Sequence, residues 1–103
     1  MMPKLVRDTI PLYLKSIGKT PVFHTANKQQ LPHLLSEKLR EEIEELIASH
    51  SAEEMADVLE VLDAMQIEFG INPIEVGRVK QEKRNARGGF TKGIVLEKVL
   101  PEE

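Results

Sequence analysis

The run Lys38-Leu39-Arg40-Glu41-Glu42-Ile43-Glu44-Glu45-Leu46 is followed, after a short gap, by Glu53-Glu54-Met55-Ala56-Asp57-Val58. Read as two helices, these runs put a Glu-x-x-Glu pair, Glu42 and Glu45, on one and a Glu-x-x-Asp pair, Glu54 and Asp57, on the next. Side chains three apart share a helix face, so two such pairs on adjacent helices can converge as four carboxylates. Held together without an equal number of bases, they repel one another unless a divalent cation shares the charge. The chain has no cysteine, so any metal must take oxygen or imidazole ligands. Carboxylate oxygens suit Mg2+, with Mn2+ as an alternative.

Helical geometry says which acids face inward. At about 100° per residue, the apolar stripe of the first acidic helix (Leu35, Leu39, Ile43, Leu46, Ile47) centres near Leu39; Glu42 falls about 70° and Glu45 about 130° to one side, while Glu41 and Glu44 point outward. On the next helix the expected stripe is Met55, Val58, Leu59, Leu62 and Met65; Glu54 lies about 70° and Asp57 about 130° from its centre, and Glu60 points out. The pairs thus hold matching flanks of two core stripes. A connection of a few residues around His50 predicts that the helices pack as an antiparallel hairpin, with both pairs at similar depth.

The elements that must position these residues follow from local signals. A short first helix is expected over about Asp8 to Ile17, with Pro11 in its first turn and Gly18 as its stop. The acidic helices are expected from near Pro32 to Ala48 and from Ser51, whose Ser-x-x-Glu pattern with Glu54 is a capping box, to Gly70. That box gives Glu54 a second role, one that would keep it from a metal. Asn72-Pro73-Ile74-Glu75 starts a fourth helix that Gly88-Gly89 ends, and its thin apolar face of Ile74, Val76, Val79 and Ala86 implies burial against another subunit. The segments 21–25 and 90–97 are rich enough in β-branched residues to pair as a small ribbon. The expected fold is therefore an all-α bundle built on the acidic hairpin, a single domain over residues 1–103.

Composition bounds the rest. With 41% hydrophobic and 30% charged residues the chain reads as globular, and 103 residues support one core that a homo-oligomer, dimer or tetramer, could complete. No signal peptide or membrane span is evident, which makes the cytoplasm the expected compartment and a membrane partner unexpected. A formal charge of −3 argues against a nucleic-acid polymer as partner. That total hides an asymmetry. Glu37 to Asp63 is strongly acidic, whereas Arg78 to Lys98 carries Arg78, Lys80, Lys83, Arg84, Arg87, Lys92 and Lys98 against Glu82 and Glu97. Lys80, Lys83, Arg84 and Arg87, at i, i+3, i+4 and i+7, form one basic stripe suited to phosphates or to ion pairs with neighbouring helices.

Glu41-Glu42-x-x-Glu45 followed by Glu54-x-x-Asp57 resembles the signature of the MazG-like all-α nucleoside triphosphate pyrophosphohydrolases. The likeness extends to Lys4-Leu5-Val6-Arg7-Asp8 with Ile10-Pro11, and to Lys83-Arg84-x-x-Arg87-Gly88-Gly89-Phe90-x-Lys92-Gly93-Ile94-Val95, which are similar to a small single-domain branch predicted to act on non-canonical nucleotides. The resemblance implies that Glu42, Glu45, Glu54 and Asp57 are magnesium ligands and that Glu41 has a less direct role. It also implies that Lys83 and Arg87 contact substrate phosphates, with Lys4 and Arg7 as further candidates. The activity so implied is attack of water at the α-phosphorus of a nucleoside triphosphate, giving the monophosphate and pyrophosphate, with a carboxylate such as Glu45 able to orient the water.

Two other readings stand beside this one. A phosphoribosyl-ATP pyrophosphohydrolase would use the same metal chemistry, and a non-catalytic helical interaction module would use the acidic hairpin to hold a basic partner. Acid-rich helices are also commonly no more than solvated faces. His24, His33 and His50 have no partner spacing and read as surface or loop residues. Tyr13, Phe23 and Phe90 are expected in the core.

Overall fold

The protein is described by a computed structural model covering residues 3–101. Four helices are formed and no strand is present among the described residues: α1 (Ile10–Ser16), α2 (Leu31–Ser49), α3 (Ala52–Phe69) and α4 (Pro73–Arg87). The fold is all-α. The expected ribbon does not form: the 21–25 and 90–97 segments lack regular structure, and Val22, Phe90, Ile94 and Val95 are exposed. β-Branched composition favours a strand only where a sheet gives it a surface to pack on, and an isolated two-stranded ribbon is marginal in water.

The chain divides into two compact units, one up to Ile71 and the other from Asn72. In the first, α2 and α3 pack along each other, joined through His50 and Ser51. His50 sits in the left-handed region (φ 52°, ψ 35°) and its N–H donates to Leu46 O at 2.8 Å, which closes α2 and turns the chain back at once. Ser51 then caps α3, its Oγ accepting from Glu54 N at 3.2 Å. Gly70, at φ 66°, ends α3 in a conformation that glycine adopts without a Cβ penalty. In the second unit Asn72 Oδ1 accepts from Ile74 N and Glu75 N, and Pro73 supplies a backbone already set for the first turn of α4.

The seam between α2 and α3 differs from the expected stripes. Leu35, Glu42, Val58 and Val61 are buried, while Ile43, Ile47, Met55, Leu59 and Leu62 are exposed. Each helix thus turns only one side of its apolar stripe to the other. On α3 the inward face is Glu54, Asp57, Val58, Val61 and Met65, so the carboxylates lie on the packed face and not on its flank. The reason is that a two-helix hairpin covers a narrower arc than a bundle does, and that arc is shared between apolar and acidic positions. Tyr13, Phe23 and Phe90 are all exposed, contrary to expectation. Phe23 instead carries the Lys15 ammonium 5.6 Å from its ring centroid. The three histidines are exposed, and on α4 only Val79 of the apolar face is half-buried.

Because Leu35 is only 3% exposed, Leu35→Ala should cost about 2–5 kcal/mol. Val22→Ala, at a residue 99% exposed, should be nearly silent. Urea unfolding of both variants checks this; equal midpoints would mean that Leu35 does not anchor the hairpin.

Candidate metal centre

Glu42 comes from the middle of α2, and Glu54 and Asp57 come from the first two turns of α3. The tight turn at His50 brings these stretches level, and one carboxylate oxygen from each of the three lies within 4.8 Å of the others. Glu42 is the most enclosed, at 6% exposure, with Glu54 and Asp57 half-buried. Glu45, the fourth expected member, lies outside this mutual group and is exposed, although its carboxyl acts on Glu54. Glu41 is half-buried and held by Lys4 (3.4 Å) and Lys38 (3.3 Å), not directed outward as expected. Glu44 and Glu60 are exposed.

The capping box is only half formed, and this frees Glu54. Ser51 accepts from the Glu54 N–H, but the Ser51 N–H donates to Ser49 Oγ at 3.4 Å in place of the Glu54 carboxylate. Glu54 Oε2 is buried without a hydrogen-bond partner, and so is Glu42 Oε2. The other Glu42 oxygen, Oε1, takes the Lys38 ammonium at 3.2 Å. A buried carboxylate oxygen without a donor is costly. Two of them in one cluster of oxygen donors are what a hard divalent cation would satisfy, so the residues fit such an ion. Three oxygens on one octahedral magnesium, at bonds of ~2.1 Å, include at least two pairs about 3.0 Å apart, so the carboxylates would close in on the ion by up to about 2 Å.

Cations close the cluster on two sides. Lys38, one turn before Glu42, loses some basicity to burial, but the hydrogen bonds and charges of Glu42 and Glu41 outweigh that and leave it above its ordinary value. Sequence reasoning missed this residue, although its i, i+4 spacing to Glu42 was the available signal. Arg7, from the segment before α1, reaches Asp57 with Nη2 2.6 Å from Oδ1. No local signal could have revealed a pair separated by fifty positions. Glu41 is raised somewhat by burial, yet Lys38 and Lys4 bring it below the usual carboxylate range.

Glu54 has no such cation among the described residues. Burial first, then a hydrogen bond with Glu45 and the negative charges of Glu45, Asp57 and Glu42, push it up to about 7. With its value at about 7, Glu54 exchanges a proton at neutrality, and a cation would compete for the same place.

Lys80, Lys83, Arg84 and Arg87 are exposed on α4 in the second unit. Among the described residues none of the four has a carboxylate within 4.0 Å, in contrast to Arg78, which pairs with Glu75 and Glu82. No helix among the described residues is long and apolar enough to cross a membrane.

An acid whose pKa is higher folded than unfolded stabilises fully below its unfolded value, and that contribution is lost as pH rises through the folded one. Without divalent ions, the melting temperature should therefore carry a component that falls between about pH 4.5 and about pH 7. Glu54→Gln should remove that component, and saturating Mg2+ should offset it. Melts across this range check the claim; identical slopes for wild type and variant would refute it.

Compared with models of protein families, with curated proteins and with solved structures, the chain matches none of them.

Proposed function

We propose that the chain is a magnesium-dependent nucleoside triphosphate pyrophosphohydrolase, of the kind its sequence resembles, acting on non-canonical nucleotides of the cytoplasmic pool. The observation that carries this reading is the group of Glu42, Glu54 and Asp57, with one oxygen from each within 4.8 Å of the others and a buried, unpartnered Oε2 on both Glu42 and Glu54. A seam of two helices keeps such a group at a cost to its own stability, and a use for the group accounts for the cost.

In this reading Glu42, Glu54 and Asp57 hold the ion, with Mn2+ as an alternative to Mg2+. Bound there, the ion would neutralise phosphate charge and favour departure of pyrophosphate. Glu45, exposed at the edge of the group, orients the attacking water and accepts its proton. Water adds at the α-phosphorus, the bond to the bridging oxygen of the β-phosphate breaks, and the products are nucleoside monophosphate and pyrophosphate. Lys38 stays on Glu42 Oε1, which leaves the buried Oε2 available to the ion. Lys80, Lys83, Arg84 and Arg87, on α4 of the second unit, are exposed and have no carboxylate partner among the described residues, which leaves them available to phosphates. The exposed Ile43, Ile47, Met55, Leu59 and Leu62 are consistent with a homo-oligomer in which another copy covers them.

A pyrophosphate-release screen over standard and damaged nucleoside triphosphates and phosphoribosyl-ATP, with and without Mg2+, tests the reading. Magnesium-dependent release of equimolar monophosphate and pyrophosphate is expected from a nucleoside triphosphate and should be lost in Asp57→Asn. Preference for phosphoribosyl-ATP would change the substrate class, and no release on any substrate would leave an interaction module. Mg2+ or Mn2+ should also raise the melting temperature of wild type but not of Glu42→Gln.

Lys83→Ala and Arg87→Ala should separate activity from stability. Both side chains are exposed, so the melting temperature should hardly move, whereas kcat/KM should fall roughly tenfold or more, at about 1.4 kcal/mol per decade. Early unfolding with full activity in the remaining folded protein would make them structural ion-pair partners.

A further inference from the structure

We propose that Arg7 is an anion-binding residue held in reserve by Asp57: uptake of a divalent cation at Glu42, Glu54 and Asp57 releases its guanidinium, which then binds a phosphate oxygen of the nucleotide. This rests on the metal-dependent reading of the site and adds to it a residue that changes partner.

Three cations lie against the acidic seam, and they differ in their freedom. Lys38 has a side chain only 17% exposed and is held between Glu41 and Glu42 on its own helix. Lys4 touches only Glu41, outside the group of three. Among the described residues Arg7 alone bonds a member of the group from outside the hairpin, and it does so from an irregular segment. Its side chain is 54% exposed and that of Asp57 36%, so water screens the pair and opening it costs little. The contact adds little to the fold, which leaves its position to be explained.

That position places it in competition with an ion. The guanidinium uses Asp57 Oδ1, and the charges of Asp57, Glu60 and Glu42 all act on it. A divalent ion drawn to the same three carboxylates would compete for Asp57 and repel the adjacent positive charge. Once displaced, Arg7 remains tethered beside the group, with five donors in a planar fork that matches phosphate oxygens. Arg7 thus balances charge while the ion is absent and supplies an anion contact when it is present.

Calorimetric titration of wild type and Arg7→Ala, first with Mn2+ and then, at saturating Mn2+, with inorganic tripolyphosphate, tests the exchange. Removing an internal competitor should tighten Mn2+ binding about two- to fivefold. Removing a charge-assisted phosphate contact should weaken tripolyphosphate binding roughly tenfold or more. Arg7→Lys, which keeps the charge but not the fork, should lose tripolyphosphate affinity without gaining Mn2+ affinity. The opposite signs in Arg7→Ala are diagnostic, because a structural role would weaken both. If wild type binds Mn2+ but Arg7→Ala binds it no more tightly, or keeps full tripolyphosphate affinity, the exchange is overturned while the metal site stands. If wild type binds no Mn2+, the metal reading itself fails and this inference falls with it.

Discussion

Glu42 is a carboxylate nine-tenths buried in the only tightly packed seam of the hairpin, and the surrounding structure is organised by the need to compensate it. Burying one charge without a partner costs several kcal/mol, so Lys38 is brought in from one turn earlier on the same helix. That pairing satisfies one oxygen and leaves the other buried without a partner. Asp57 draws on Arg7, Glu41 draws on Lys4 and Lys38, and Glu54 is left without a base among the described residues. Its raised pKa is the residue of a charge balance that the protein's own cations do not complete.

The apolar support for this arrangement is slight. Leu35, Val58 and Val61 are buried beside the acids, while the other half of each stripe remains on the surface. Small chains bury a smaller share of their surface than large ones do, and here part of that share goes to carboxylates. A sequence selected only for stability would fill these positions with leucine or valine, since replacing a buried ionic cluster by packed apolar side chains is often neutral or stabilising. Keeping the acids is a cost consistent with a function at the seam.

The turn at His50 sets the register on which the group depends. With only His50 and Ser51 between the helices, the middle of α2 and the first turns of α3 must lie level, and the left-handed backbone at His50 makes so short a reversal possible. Ser51 caps α3 without engaging the Glu54 side chain, so one residue starts the helix and leaves its acid free for the seam.

Local chemistry made the helices legible. Pro11, Pro73, Ser51 and Asn72 mark starts, and Gly18, Gly70 and Gly88 mark stops, because capping and φ preference act within a few residues of sequence. The three-residue spacing of Glu54 and Asp57 likewise put both half-buried on one face of α3, whereas the same spacing on α2 left Glu42 buried and Glu45 exposed. The ribbon and the aromatic core were misread, since β-branched composition and ring size say nothing about whether a partner surface exists. Only the tertiary structure decided how each helix is rotated about its axis, which buried Glu42, left Glu45 exposed and turned Met55 and Leu59 to the surface. It alone brought Arg7 to Asp57, because a pairing between distant segments depends on how packed helices meet and leaves no periodic trace in the chain.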